Sequence, residues 1–391
     1  MQTNKVGRIE MIDALRGFAV LAILLVHSLD HFLYGYPQEL IGWYSWFAPI
    51  DKVLEKVLFA LFSGKAYVIF AMLFGFTFYV QNRNQQAKGN DFGYRYLWRL
   101  VLLLPFAALN SVFFPAGDVL LMFAFVGVVL FIVRKWSNRS ILILAIIFLL
   151  QPIEWIRLIL FLINSPFAIP NFDGVISQMN NEILRAICSE NIYDIVSKNL
   201  TIGQKSSFLW ALNSGRLEQT AGLFLLGFYF GKEQLFVIKD RRGLWIKILK
   251  YGTLSFFLFL TLSKLSKHWI LPLLQSLGVA FAMWTNISVA FIIISVFVLL
   301  YEKVSNHKFI GFLKYYGRMS LTNYIAQSII GAIIYFPIGL NLVQYCGGTL
   351  CVLIAIIVFI AQVYFSKSWL SRCKQGPLES LWHKLTWIKV G

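Results

Sequence analysis

Met11-Ile-Asp13-Ala-Leu-Arg16-Gly-Phe-Ala-Val-Leu-Ala-Ile-Leu-Leu-Val-His27-Ser-Leu-Asp30-His31 is the stretch on which the fold turns. The apolar run Ile12–Tyr34 is long enough for one helix across a bilayer, which takes about 20 residues. A cleaved leader would be shorter, uncharged within its apolar part, and followed by a small-residue cleavage site. Asp13 and Arg16 interrupt this run, so it reads as a retained first helix. Similar runs follow near Val57–Val80, Tyr96–Phe114, Val119–Val133, Ile141–Ile163, Phe208–Phe230, Trp245–Leu265, Leu271–Leu300, Leu321–Leu340 and Leu350–Phe365. The fourth is short, and the eighth is long enough to hide a break around Gln275–Gly278. The expected fold is all-α, a polytopic membrane helix bundle of about ten transmembrane helices.

Composition agrees. Of 391 residues, 58% are hydrophobic and only 14% charged, whereas water-soluble domains are about half apolar and a quarter charged. In water such a chain would expose large apolar patches and aggregate, so its solvent is the lipid bilayer. The net charge of +17, from 35 Lys and Arg against 18 Asp and Glu, would in a soluble protein raise nucleic acid as a partner. Here the basic residues sit at the ends of apolar runs, which excludes that reading and reports orientation instead. Every second connection is basic: Lys5 and Arg8; then Arg83, Lys88, Arg95 and Arg99; Arg134, Lys135 and Arg139; Lys232 to Lys250; Lys303 to Arg318; and the end of the chain. These connections and both termini are expected in the cytoplasm, in a multi-pass protein of the cell inner (plasma) membrane.

The whole chain, 1–391, reads as a single transmembrane domain. Its longest outer connection, 164–207, repeats Ile183, Ile187, Ile195 and Val196 beside Glu182, Arg185, Asp194 and Lys198. That pattern suits an amphipathic helix lying on the membrane or capping the bundle. Cys188, Cys346, Cys351 and Cys373 lack metal-ligand spacing and read as packing residues. His27-x3-His31 has the spacing of a metal pair, but His268, His307 and His383 fall at span ends or in loops, so no metal is expected.

Charges inside the spans carry the functional argument. A charge at mid-bilayer costs about 3 kcal/mol or more, and Asp13, Arg16, Lys65, Arg216 and Glu218 together cost on the order of 10 kcal/mol if unpaired. They must face one another, water or a ligand. Asp13, Val20, His27 and His31 share one helix face with Arg16 close by. His27 lies about 16 Å deeper than Arg16, and His31 about 6 Å beyond. A neutral imidazole is tolerable there and accepts a proton from a hydroxyl or amine; alternatively, the pair hydrogen-bonds neighbouring helices. Lys65 follows Ser63-Gly64, a kink or a ligand contact. Arg216 and Glu218 are two apart and point different ways, so each needs its own partner. Ser320, Asn323 and Gln327 form a stripe flanked by Thr322 and Tyr324, either a site or polar glue between helices. Sorted by depth, Arg8, Asp13, Arg16, Arg318 and Asn323 form a basic inner mouth. His31, Lys65, Arg216 and Glu218 form an outer chamber, with His27 and Gln327 between.

Several stretches resemble the YeiB-like family of bacterial inner-membrane proteins. They are Arg8-Ile-Glu-Met-Ile-Asp13-Ala-Leu-Arg16-Gly17, Gly64-Lys65 leading to Leu73-Phe74-Gly75, and Gly222-Leu-Phe-Leu-Leu-Gly227 with Gly231. Gly317-Arg318-Met-Ser-Leu-Thr322-Asn323-Tyr324 with Gln327-Ser328 follows, then Gly376-Pro377-Leu378-Glu379-Ser-Leu-Trp382. That family is in turn similar to OafA-type membrane acyltransferases and to heparan-alpha-glucosaminide N-acetyltransferase. The resemblance implies that Arg8, Asp13 and Arg16 correspond to a conserved opening and that His27 or His31 stands for a catalytic histidine. Many YeiB-like proteins carry Asn near position 27, which shifts the weight to His31.

The expected function is acyl transfer from acetyl-CoA or another acyl-CoA to a hydroxyl or amine of a small-molecule or envelope acceptor. His31 or His27 is the expected base, oriented by Glu218 or Asp30, and Arg216 or Lys65 stabilises the oxyanion. Arg8, Asp13, Arg16, Arg318 and Asn323 hold the donor; Lys65, Tyr324 and Gln327 contact substrate. The rival is a transporter or flippase of a small anionic or lipid-linked solute, with the same charges along its path. A homo-oligomer remains open.

Overall fold

The computed structural model describes residues 9–33, 48–114, 118–167, 169–189, 191–236, 241–267 and 276–388. Among them there are helices and no strand. The first span is α1 (Glu10–Asp30). The second is divided into α2 (Ala48–Phe62) and α3 (Lys65–Gln86) by Gly64, whose φ of 76° is left-handed. The third is α4 (Gly93–Val101) with α5 (Leu103–Phe113), and the short fourth is α6 (Leu120–Val126) with α7 (Val128–Val133). The fifth is bent by 51° between α8 (Asn138–Leu149) and α9 (Pro152–Leu162), at Gln151 with φ 59°. α10 (Asp173–Cys188), α11 (Ile192–Lys198) and one π turn lead to the sixth. That span is split at Gly215, φ 67°, into α12 (Gln204–Asn213) and α13 (Arg216–Lys232). α14 (Arg242–Leu265), α15 (Gly278–Val304), α16 (Lys308–Arg318), α17 (Ser320–Tyr335), α18 (Gly348–Arg372) and the tail helix α19 (Pro377–Thr386) complete the chain.

Among the described residues, six helical stretches are long and apolar enough to cross a membrane, and the α8–α9 pair is a seventh when counted as one span. The other expected spans, Val119–Val133, Phe208–Phe230 and Leu321–Leu340, are shorter or interrupted helices. Apolarity alone could not reveal the interruptions, because they lie in backbone conformation rather than in hydropathy. Of the break expected around Gln275–Gly278, Gln275 lies outside the described residues, and α15 runs unbroken from Gly278. The outward faces of α14 and α18 are apolar, with Phe257 63% and Ile357 65% exposed. Such faces belong in lipid rather than water, and the chain is a membrane protein.

Two close crossings hold the frame. A β-carbon on Gly17 would stand 2.1 Å from Leu313 O, and one on Gly317 1.9 Å from Asp13 O, so α1 and α16 touch backbone to backbone. A β-carbon on Gly75 would stand 1.9 Å from Phe224 O, and one on Gly227 1.9 Å from Met72 O, so α3 and α13 do the same. Small residues permit this approach where lipid removes any hydrophobic drive between helices. α10 covers one end of α1, burying Ile183 and Ile187 in a cluster with Leu29, Phe32 and Phe114.

Candidate functional site

The largest grouping of arginines surrounds a cavity of about 160 Å³ between α1, α3, α4, α17 and α19. Arg16, Arg99 and Arg318 line it with Thr77, Gln81, Tyr324 and Glu379, and Phe70, Phe74, Leu103 and Phe123 form its apolar walls. Arg16 Nη2 donates to Thr77 Oγ1 at 2.8 Å, and Nη1 lies 3.5 Å from Asp13 Oδ1. Asp13 thus orients Arg16. Arg99 stacks its guanidinium 3.6 Å over the Trp382 ring, whose Nε1 donates to Arg99 O. The carboxylate on the wall is already engaged. Glu379 accepts from Leu321 N at 2.7 Å, Thr322 N at 3.1 Å and Thr322 Oγ1, capping the orphan amides that open α17. With that charge committed to a helix end, the hollow is left basic.

A second cavity of about 360 Å³ shares Gln81 and Arg99 with the first and adds Lys88, Gln375, His383 and Trp387. Burial and the neighbouring Arg99 and Lys88 hold His383 below its ordinary value. Together the two form a basic mouth leading into a narrow aromatic slot. Arg8 lies outside the described residues. Arg99, Trp382 and His383 were not anticipated as site residues. Arg99 is legible only as one charge in a basic loop, and the tail stretch Gly376–Trp382 only as a motif of the resemblance, with nothing that marks it as a wall.

Tyr324 closes the slot. Its ring stands 6.3 Å from that of His27, which meets Phe114 at 4.4 Å and His31 at 5.0 Å. His31 also packs on Phe114 at 4.3 Å, and its Nε2 lies 3.9 Å from Asp30 Oδ2. Beside Phe114 is a buried polar network that sequence reasoning missed. Ser328 Oγ donates to Asn110 Oδ1 at 2.7 Å, and Asn110 Nδ2 donates to Asp118 Oδ1 at 3.1 Å. Asp118 in turn accepts from Leu120 N and Leu121 N. An aspartate isolated between Gly117 and an apolar run was the available signal.

Two expectations are corrected. Asn323 and Gln327 leave the cavity to Tyr324 and face the opposite way: Asn323 Nδ2 donates to Tyr316 O and Ser366 Oγ, and Gln327 Nε2 to Tyr316 Oη and Val20 O. Their polar groups bond α17 to its neighbours, the glue alternative. Glu218 turns from the histidines toward α9, accepting from Ile153 N at 3.1 Å beside Glu154 and Arg157. Of the two carboxylates expected beside the histidines, only Asp30 lies near them.

The expected single hollow is in fact two places. Lys65 and Arg216 meet at the helix breaks: Arg216 lies over the Tyr67 ring at 4.8 Å and the Trp210 ring at 5.6 Å, with Nη1 on Gln219 Oε1 at 2.9 Å. Lys65 Nζ donates to Phe59 O at 3.2 Å. Tyr67 bonds Thr220 and stands close to Tyr324, so the two tyrosines separate this junction from the arginine cavity.

With this geometry in place, the relatives are informative. "Uncharacterized protein YeiB" of Escherichia coli (strain K12) is 26% identical over 402 residues, 97% of this chain and 96% of that protein. The chain is YeiB-like. "Uncharacterized protein YxaH" of Bacillus subtilis (strain 168) is 27% identical over 412 residues, covering 97% of this chain and 94% of its own. An "Uncharacterized 39.9 kDa protein in amylase 3'region" of Bacillus acidopullulyticus is 26% identical over 389 residues, 97% of this chain and 94% of that protein. Residues 230–389 match the family model described as "Protein of unknown function (DUF418)". In this YeiB-like chain that region includes Arg318, Tyr324, Glu379, Trp382 and His383, one whole side of the cavity. No solved structure matches.

Proposed function

We propose that this is an acyltransferase of the cell inner membrane, with about ten spans and both termini in the cytoplasm. It moves an acyl group such as acetyl from a coenzyme A donor to a hydroxyl or amine of a small-molecule or envelope acceptor. The observation that carries the reading is the position of Tyr324, whose ring belongs at once to the arginine-lined slot and to the His27–His31–Phe114 cluster. A donor with phosphates at one end and a thin arm at the other suits a basic mouth that narrows between Phe70, Phe74 and Phe123. Its thioester would then arrive beside the histidines.

The acceptor O–H or N–H adds to the thioester carbon while the histidine pair takes its proton, and the carbonyl oxygen becomes an oxyanion. The C–S bond then breaks, and the departing thiolate receives the proton. Asp30 steers His31 from the more exposed side, where an acceptor can enter. A positioned base contributes about 10²- to 10⁴-fold in rate. The test is purified full-length protein with labelled acetyl-coenzyme A. We expect thioester turnover that falls about 10²- to 10⁴-fold in His31→Ala, with coenzyme A binding kept. Absence of both binding and turnover in the wild type would overturn the proposal.

One observation favours a transporter instead: three spans break with left-handed residues at Gly64, Gln151 and Gly215, as in carriers with discontinuous helices. Solute uptake into liposomes that survives His31→Ala would select that reading.

A further inference from the structure

We infer that the junction of these three breaks is a binding site for a small carboxylate, held by Arg216, Lys65 and Gln219. The breaks are neighbours in space. The position a β-carbon would take on Gly64 lies 2.7 Å from Asn286 Nδ2 and 3.3 Å from Arg216 Nη2, and the one on Gly215 lies 2.1 Å from Gln151 Oε1. α3, α9 and α13, of 22, 11 and 17 residues, all begin here, each bringing unsatisfied amides and a partial positive charge at its first turn.

Helix starts alone would decide nothing. What points to an acceptor-bearing ligand is a set of buried donors without partners: Arg216 Nε, Gln219 Nε2 and Gln151 Nε2. Gln219 and Gln151 are fully buried. Native proteins satisfy nearly all such groups, so something absent from the polypeptide completes them. Its charge follows from the cations. Among the described residues neither Lys65 nor Arg216 forms an ion pair, and the nearby Glu218 is turned to Ile153 N. Water would supply an acceptor but would leave the charges of buried Lys65 and partly buried Arg216 uncompensated.

The guanidinium narrows the chemistry further. Arg216 Nη1 is taken by Gln219 Oε1, which leaves the Nε–Nη2 edge, the side-on fork that grips two coplanar oxygens. The Tyr67 and Trp210 rings lie 4.8 Å and 5.6 Å from the guanidinium and confine what can reach that edge. A planar carboxylate is the ligand assigned to this fork, and a tetrahedral phosphate is the rival that the experiment must separate from it. The site does not depend on acyl transfer and would serve a carboxylate-bearing acceptor or solute equally.

The full chain in detergent would be followed by its thermal midpoint against sodium acetate, with sodium phosphate and sodium chloride at matched ionic strength. The wild-type midpoint should rise and saturate with acetate beyond the chloride series. Arg216→Gln should raise the half-saturating concentration about tenfold or more, the effect of losing a charge-assisted hydrogen bond. Lys65→Gln should do likewise, and carries the test if Arg216→Gln fails to fold. Acetate no better than chloride in the wild type, or unchanged half-saturation in the folded variants, would overturn the inference. A response to phosphate alone would overturn the carboxylate assignment.

Discussion

The arginines of the cavity and the arginine of the helix junction are the same side chain in opposite settings. Arg16, Arg99 and Arg318 face a hollow bounded on one side by the tail helix, and their neighbours are mostly side chains. Arg216 is pressed between Tyr67 and Trp210 at a point where three backbones turn in left-handed conformations. The difference teaches how a membrane bundle keeps buried charge. It can line a hollow with cations, or enclose one within rigid backbone and leave a few donors without partners. The first arrangement should tolerate change in its walls; the second should not.

That contrast fails or sharpens first at Gly215. A valine there must hold φ near 67°, and its β-carbon would stand 2.1 Å from Gln151 Oε1. Strain and overpacking together should cost about 4 kcal/mol. Gln81→Ala, on the cavity wall, should stay within about 0.5 kcal/mol of wild type. Thermal midpoints of both variants in the same detergent make the comparison. Equal midpoints would mean that the junction is no more rigid than the cavity.

Next in size is Arg99→Ala. If the hollow is a ligand site, acetyl-coenzyme A binding should weaken about 10- to 100-fold, the range for charge-assisted bonds. Stability should fall by only about 1 kcal/mol, the stacking on Trp382. Calorimetric titration beside a melting curve separates the two. A large stability loss with unaltered affinity would make Arg99 a packing residue and the hollow incidental.

The two regions were unequally legible in the sequence. Arg16, Arg318 and Tyr324 stand out because charge or a polar run inside apolar spans is costly wherever it occurs, and the cavity gathers all three. The glycines of Arg16-Gly17 and Gly317-Arg318 were legible as motif letters, but their work, a backbone contact between α1 and α16, depends on which helices meet. The junction was hidden for another reason. Gln151 reads as a lone polar residue before a proline, and only the chain path sets it against Gly215. Asn323 and Gln327 went the other way. Their stripe is real, but the face it occupies looks at Tyr316, Gln362 and Ser366, which periodicity within one helix cannot disclose.

The smallest effect concerns the rim of the cavity. His383, outside the spans, is held below its ordinary value near 6.5 by burial and by the positive charges of Arg99 and Lys88. It is therefore neutral near pH 7. The stability that depends on this neutral form is present above the ordinary value and declines as pH falls through the lower folded value. An incoming phosphate reverses the local field and favours the imidazolium, so donor binding should take up a proton and tighten as pH drops from 7.5 to 5.5. Because the side chain is partly exposed, the gain should be about two- to threefold. In His383→Asn the affinity profile should be flat over the same interval, with the pH 7.5 affinity little changed. Coincident profiles for the two proteins would place the donor's phosphates away from this rim, and with them the mouth of the cavity.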